Sequence, residues 1–152
     1  MLTIEPAFPN KLHLAWRVVD YLQSDALAKG VRNPSVTSVG SFWNNLDQVM
    51  DRSNTLYVAT NSRGSVVGYM VIDRRLLDVD IYSGCLGLEI FEVLPRYKNK
   101  GFGTQMFKWL QDKAVHHGFS SIKIHPANHS EGFWEKLGFS DQLGHGWLLP
   151  IA

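Results

Sequence analysis

One cysteine, Cys85, among 152 residues leaves this chain no intramolecular disulfide and no multi-cysteine zinc site. That scarcity fits a reducing compartment, and the cytoplasm is the expected location. Excess charge is missing as well: 15 Lys and Arg against 14 Asp and Glu give a net charge of +1. A dedicated nucleic-acid binder carries a basic field that this balance does not supply, so no nucleic-acid partner is expected and any anion recognition must be local. No apolar stretch is long enough to cross a bilayer. Pro6, Pro9 and nearby charges interrupt the N-terminal segment where a signal peptide would need an unbroken apolar block, so no membrane partner is expected either. Repeats, low-complexity tracts and linkers are absent, and 45% hydrophobic residues over this length suffice for one core. A single domain over residues 1–152 is the expectation.

What is present alternates between two periodicities. Leu2 to Phe8 reads as a short strand, and Pro9 opens a helix whose apolar positions Leu12, Ala15, Trp16, Val19 and Leu22 follow helical spacing to about Gly30. Ser41 is placed to cap a second helix through Phe42, Leu46, Val49 and Met50. "TLYVAT" and "SVVGYMVID" flank "NSRG", which predicts a hairpin. Cys85 to Val93 predicts the next strand; the helix after it carries Met106, Phe107, Leu110 and Ala114 and closes at Gly118, with His116 and His117 expected to be solvated at its negative end. "SIKIH" alternates and is stopped by Pro126; a short helix from about His129 to Leu137 and a final strand in "GHGWLLPIA" complete the order βααβββαβαβ. This is an α/β (α+β) chain. Its strand from Cys85, helix from Gly101 and strand to His125 form a right-handed crossover that sets the start of the helix beside the carboxyl ends of both strands, where ligands bind in such folds.

The junction itself, "EVLPRYKNKGFGTQM" from Glu92 to Met106, gathers Arg96, Lys98 and Lys100 just before two glycines and a helix start. First-turn N–H groups have no partners inside a helix and, with the helix dipole, present about half a positive charge. Gly101 and Gly103 remove Cβ atoms so that a bulky anion can approach the main chain, and Thr104 adds a hydroxyl. A phosphate or pyrophosphate suits this chemistry; a plain tight turn with solvated lysines is the simpler reading. The third glycine of the dinucleotide fingerprint is missing, and no G-x-x-x-x-G-K-[ST] occurs, which disfavours NAD and P-loop nucleotides.

"VLPRYKNKGFGTQMFKWL" resembles the acyl-CoA-binding motif [QR]-x-x-G-x-[GA] of the GNAT superfamily of N-acetyltransferases, here Lys98-Asn99-Lys100-Gly101-Phe102-Gly103. Lysine at the first position keeps the charge and loses the planar fork of arginine. A second block, "EGFWEKLGF" from Glu131 to Phe139, resembles the [FY]-Y-x-x-x-G-F segment that closes that fold. The resemblance, over about the last 60 residues, implies a mixed central sheet with helices on both faces and two splayed parallel strands that form a CoA cleft. It further implies acetyl-CoA as co-substrate, with the pyrophosphate on residues Lys98 to Thr104. Main-chain groups around Phe91 and Val93 would meet the pantetheine, with Val93 at a strand bulge, and Asn128 would be a further CoA contact. Asn128 with Glu131 also fits a capping box, which is the favoured reading.

The implied reaction moves an acetyl group to a primary amine of a small molecule, peptide or protein; a non-catalytic acyl-CoA-binding module is the alternative. An alkylammonium with a pKa of about 10.4 must lose a proton first. "LE" at Glu89 resembles the strand of polyamine acetyltransferases, in which glutamate is the base, and ideal alternation puts Glu89 and Val93 on one face. A carboxylate paired with a neighbouring cation competes with that reading. Glu92 has the opposite parity and stands second, because bulges disturb alternation. The tyrosine that protonates the leaving thiolate in many relatives is replaced by Trp134, whose indole does not serve as an acid. His125, at the mouth of the second parallel strand, is the histidine placed to act as base or shuttle, set against a structural role. His13, His129 and His145 lack ligand spacing, and no metal site is expected. Trp43 and Trp147 are candidates for a substrate pocket or for the core, and Asp73, Asp78 and Asp80 are a thin hint of a cation preference, with a solvated loop the favoured reading. The implied partners are an amine substrate and, in a homodimer, a second copy of the chain; the residues identify neither.

Overall fold

The two periodicities resolve into strand β1 (Thr3–Pro6), helix α1 (Leu12–Ala28), strands β2 (Thr55–Thr60), β3 (Val66–Ile72) and β4 (Cys85–Val93), a 3-10 turn (Pro95–Tyr97), helix α2 (Phe102–His116), strand β5 (Ser121–Ile124), helix α3 (Glu131–Lys136), and strands β6 (Ser140–Asp141) and β7 (Trp147–Pro150). This computed structural model describes residues 1–7, 11–30, 42, 54–74, 76, 81–126, 130–142 and 146–151. The expected second helix falls outside them apart from Phe42, as do Trp43, Asp78, Asp80, Asn128, His129 and His145.

The strands form one mixed sheet in the order β1-β2-β3-β4-β5-β7-β6, with β4 and β5 parallel and every other pair antiparallel. Strand β6 is additional to the sequence reading; two residues are too few to show a period. The β2–β3 hairpin turns where Asn61 Oδ1 accepts the N–H groups of Arg63 and Ser65 at 3.0 and 2.9 Å, with Gly64 at φ +79°. Both central strands are buried along their whole length because the sheet is covered on two faces. On one face Leu56, Val58, Tyr69 and Val71 meet Leu14, Ala15, Val18 and Leu22 of α1. On the other, Tyr57, Met70, Leu86 and Leu88 meet Met106, Phe107 and Leu110 of α2.

Helix α1 corrects one expectation. Its buried stripe runs through Ala15, Val18, Val19, Leu22 and Ala26, and Leu12 and Trp16 lie on the stripe's edge, 42% and 54% exposed. A second correction concerns His117, which is buried at 1% exposure rather than solvated. The segment at Tyr82 folds back over the end of α2: the Tyr82 N–H donates to the His117 carbonyl at 2.7 Å and the two rings lie 6.0 Å apart.

Asp73 is likewise a structural fastener and not part of a solvated loop. Its N–H donates to the Gly87 carbonyl at 2.9 Å, and its Oδ1 accepts the Gly87 N–H at 3.0 Å. A Cβ on residue 87 would lie 2.5 Å from Asp73 Oδ2, so glycine is what permits the contact. This clamp holds β3 to β4 just before β4 changes its register. Asp73→Ala leaves a strand N–H without its acceptor, and a loss of about 1–3 kcal/mol is expected, read as a Tm lowered by about 3–10 °C in thermal unfolding.

Candidate active site

Strand β4 is nine residues long and β5 four. They pair from Cys85↔Ser121 to Leu88↔Ile124 and then part, because β5 stops before His125 and Pro126, and proline has no N–H to continue a ladder. Among the described residues, 89–93 of β4 therefore run on without a strand partner on that side, about 16 Å of strand edge at about 3.3 Å per residue. The opening is a cleft of about 830 Å³. Its walls are Leu88 to Val93 on one side and Ile124, His125 and Pro126 on the other, with Phe133 and Trp134 of α3 above and the start of α2 at one end.

A bulge decides which side chains face which half of the cleft. In the β3–β4 register Val71 is opposite Ile90 and Ile72 opposite Leu88, so Glu89 is the extra residue. The bulge was expected at Val93, which instead pairs regularly with Gly68. Parity inverts across Glu89: Leu86 and Leu88, then Phe91 and Val93, belong to the α2 face, whereas Ile90 belongs to the α1 face. Alternation is thus broken at Glu89 itself, and it no longer fixes the face of Glu89 relative to Val93. Glu92 follows Ile90 and sits opposite Tyr69, which packs on the α1 side.

At the end of the cleft the main chain is open to a ligand. The N–H groups of residues 99–104 have no main-chain acceptor among the described residues; the first helical bond is from the Gln105 N–H to the Gly101 carbonyl at 3.1 Å. Gly101, at the N-cap, has φ +85° and no side-chain cap, and Asn99 has φ +62°. These two left-handed residues curl successive amides into a concave nest of the kind that holds anions. A Cβ on residue 101 would meet nothing within 4 Å, so the space beside Gly101 is open and its positive φ, not crowding, is what favours glycine there. A Cβ on Gly103 would instead touch the Phe133 ring and Val93 Cγ2 at 3.4 Å. Lys98 and Lys100 are exposed, and neither is in an ion pair among the described residues. The Arg96 N–H donates to the Tyr21 hydroxyl at 2.8 Å, which fastens the turn before the nest to α1. The residues present thus fit a diphosphate on the nest and a slender chain between the parted strands.

Of the sequence-derived site residues, Glu89, Phe91, Val93, Lys98, Asn99, Gly101, Gly103, Thr104 and His125 line the cleft. Lys100 and Phe102 do not line it with their side chains; Phe102 turns to Tyr97, ring centroids 5.9 Å apart, and both contribute their N–H groups to the open run. Helix α3 begins at Glu131 with Ser130 at its N-cap, so the cap expected at Asn128 is not where the helix starts. Tyr97 and Phe133 were missed as lining residues. For Phe133 a signal existed, the first aromatic of "EGFWEKLGF". Trp134 is 6% exposed and makes edge-on contacts with Phe91, Phe107, Phe133 and Phe139 at 4.9 to 5.9 Å. Trp147 packs against the core on the α2 face and does not line the cleft.

The electrostatics single out one carboxyl. Water still reaches Glu92 through the cleft, yet the surrounding walls remove enough of it to hold the carboxyl above the usual range, and the Lys98 ammonium offsets part of that rise. Burial, and secondly the nearby Glu92 charge, raise the Tyr69 phenol, which therefore stays neutral. Glu89 and Glu92 are in no ion pair among the described residues. No group of three His, Cys, Asp or Glu among them converges on a metal-sized site, and no helix among them is long and apolar enough to cross a membrane.

Comparison with known proteins agrees with this geometry. An uncharacterized N-acetyltransferase of Oceanobacillus iheyensis is 42% identical over 48 residues, which are 32% of this chain and 27% of that protein. The chain thus spans about a quarter of that relative's length. The ribosomal-protein-S18-alanine N-acetyltransferase of Escherichia coli superposes with a TM-score of 0.60 at 18% identity, over 100% of this chain and 95% of that one. A GNAT family acetyltransferase of Elizabethkingia anophelis with acetyl-CoA bound superposes with a TM-score of 0.56 at 20% identity, over 93% and 77% of the two chains. At such identities these likenesses establish the fold. The sequence model of the acetyltransferase (GNAT) family matches residues 14–139, from α1 to the end of the cleft's aromatic roof, and the chain belongs to that family.

Proposed function

We propose that this protein transfers the acetyl group of acetyl-CoA to a primary amine. The observation that carries the reading is the run of N–H groups at residues 99–104 that have no main-chain acceptor among the described residues, at the end of a cleft between parted parallel strands. The nest and the lysines beside it suit the diphosphate. The free edge of β4 at residues 89–93 offers N–H and carbonyl groups to the pantetheine amides and an N–H to the thioester oxygen. Holding the thioester beside the amine converts an encounter into a local reaction, a gain of up to about 7–11 kcal/mol in well-oriented systems. One of the two cleft carboxylates takes the proton from the amine. The cytoplasm supplies such a co-substrate and is the compartment we assign.

Trp134 favours a second reading, a module that binds acyl-CoA without turnover, because indole stands where an acid would protonate the thiolate. Magnitudes limit this objection: a thiol of pKa about 8.5 leaves as a tolerable anion, and general acid help contributes about 10² to 10⁴. Both readings predict calorimetric binding of acetyl-CoA. Acetyl transfer additionally predicts that free thiol is released with at least one member of a panel of amines and peptides. Binding without release on a broad panel would establish the module, and no binding at all would exclude both.

A further inference from the structure

The bulge makes the cleft asymmetric, and resting on the acetyl-transfer reading the geometry points to Glu92, not Glu89, as the group that receives the proton from the amine. Val93 and Phe133 pack on the α2 side of the sheet, where a Cβ on Gly103 would touch both at 3.4 Å, next to the nest that suits the diphosphate. A ligand threaded from that nest has its acyl end between the strands, and the acceptor must come to it from the opposite face. Ile90, Glu92 and Tyr97 line the cleft on that α1 side. Glu92 is therefore the cleft carboxylate whose strand position faces the incoming amine, one residue from the Val93 main chain beside which the thioester would lie. Glu89, as the extra residue of the bulge, stands where β4 and β5 are only beginning to part.

Titratable and charged groups around Glu92 are Tyr69 on β3, Tyr97 and Lys98 beyond β4, Glu89 on its own strand and His125 across the cleft. The neutral phenol of Tyr69 can donate to a carboxylate without taking its place as base. Lys98 keeps the carboxyl ionised over part of the range in which desolvation would protonate it. An alkylammonium gives one proton to Glu92, which releases it to water through the cleft mouth. The neutral nitrogen then forms the C–N bond as the C–S bond breaks, and its second proton ends on the thiolate. Amide, free thiol and one solvent proton balance the reaction. Because only ionised Glu92 accepts a proton, the rate falls as pH drops through its raised pKa.

The test compares Glu92→Gln and Glu89→Gln with the unaltered protein in thiol release across pH, with two acceptors: an alkylamine and an acyl hydrazide, whose terminal nitrogen is neutral at pH 7. Glu92→Gln is expected to lower kcat/KM for the alkylamine by about 10² or more and to flatten the acid limb of the profile, with acetyl-CoA affinity unchanged. The loss should shrink to a few-fold with the neutral acceptor, which a merely structural role would not produce. Glu89→Gln should stay within a few-fold on both. Unchanged release by Glu92→Gln, or a loss carried by Glu89→Gln, overturns this assignment alone. An unaltered protein that binds acetyl-CoA but acetylates neither these acceptors nor any member of the broad panel overturns the acetyl-transfer reading and the assignment with it.

Discussion

Gly103→Val is expected to weaken acetyl-CoA binding by at least about 100-fold, measured by calorimetric titration, while the thermal transition moves by only a few degrees. The Cβ position at residue 103 already stands at contact distance, 3.4 Å, from the Phe133 ring and from Val93 Cγ2. Two further methyl groups must push Phe133 aside or project into the slot where β4 offers its free edge. Overpacking of this kind costs about 1–3 kcal/mol, and blocking even two charge-assisted N–H contacts to a diphosphate adds a similar amount. A loss of about 2.7 kcal/mol is already a factor of 100 in affinity. Gly103→Ala supplies the graded control: one methyl at ordinary contact distance should cost less than tenfold. Unchanged titration heats for the valine variant would remove the nest and slot as the binding site.

The second large effect concerns Trp134. Replacing it by alanine should destabilise the protein by about 3–5 kcal/mol, because four phenylalanine rings lose the indole they pack against and the space is too enclosed to collapse fully. For a chain of this size that is a Tm lowered by about 10 °C or more. Trp134→Tyr keeps most of the ring burial and puts a phenol beside the cleft. Stability should then fall by less than half as much, and thiol release should rise by about tenfold as an acid becomes available to the leaving sulfur. A tyrosine variant that folds and binds acetyl-CoA but reacts no faster would show that thiolate departure does not limit the rate.

Strands were legible in the sequence wherever both faces or one face of the sheet imposed a plain alternation. "TLYVAT", "SVVGYMVID" and "CLGLEIFEV" gave their positions within a residue or so, and "NSRG" gave the turn between the first two. The junction from Lys98 to Thr104 was readable because its chemistry is main-chain chemistry: two glycines at a strand-to-helix step imply exposed N–H groups whatever surrounds them. Side-chain facing was less accessible. Leu12 and Trp16 matched the helical period and still lie at the edge of the buried stripe, since the side of α1 that meets the sheet is the one carrying Leu14, Ala15, Val18 and Leu22. His117 looked like an exposed helix end, because nothing local announces that Tyr82 folds over it.

By itself the sequence determined where strands β2 to β5 and helix α2 fall, the parallel crossover, the glycine-bearing strand-to-helix junction and the want of a tyrosine at the roof of the cleft, because each is a matter of local composition, spacing or parity. Tertiary structure alone decided that the bulge falls at Glu89, that Asp73 clamps Gly87 below it, and that Glu92 therefore takes the strand position opposite Tyr69, which packs on the α1 face. The reason is physical: a bulge exists only as a mismatch in register between two strands, and a residue's face beyond it depends on the partner strand as much as on its own neighbours.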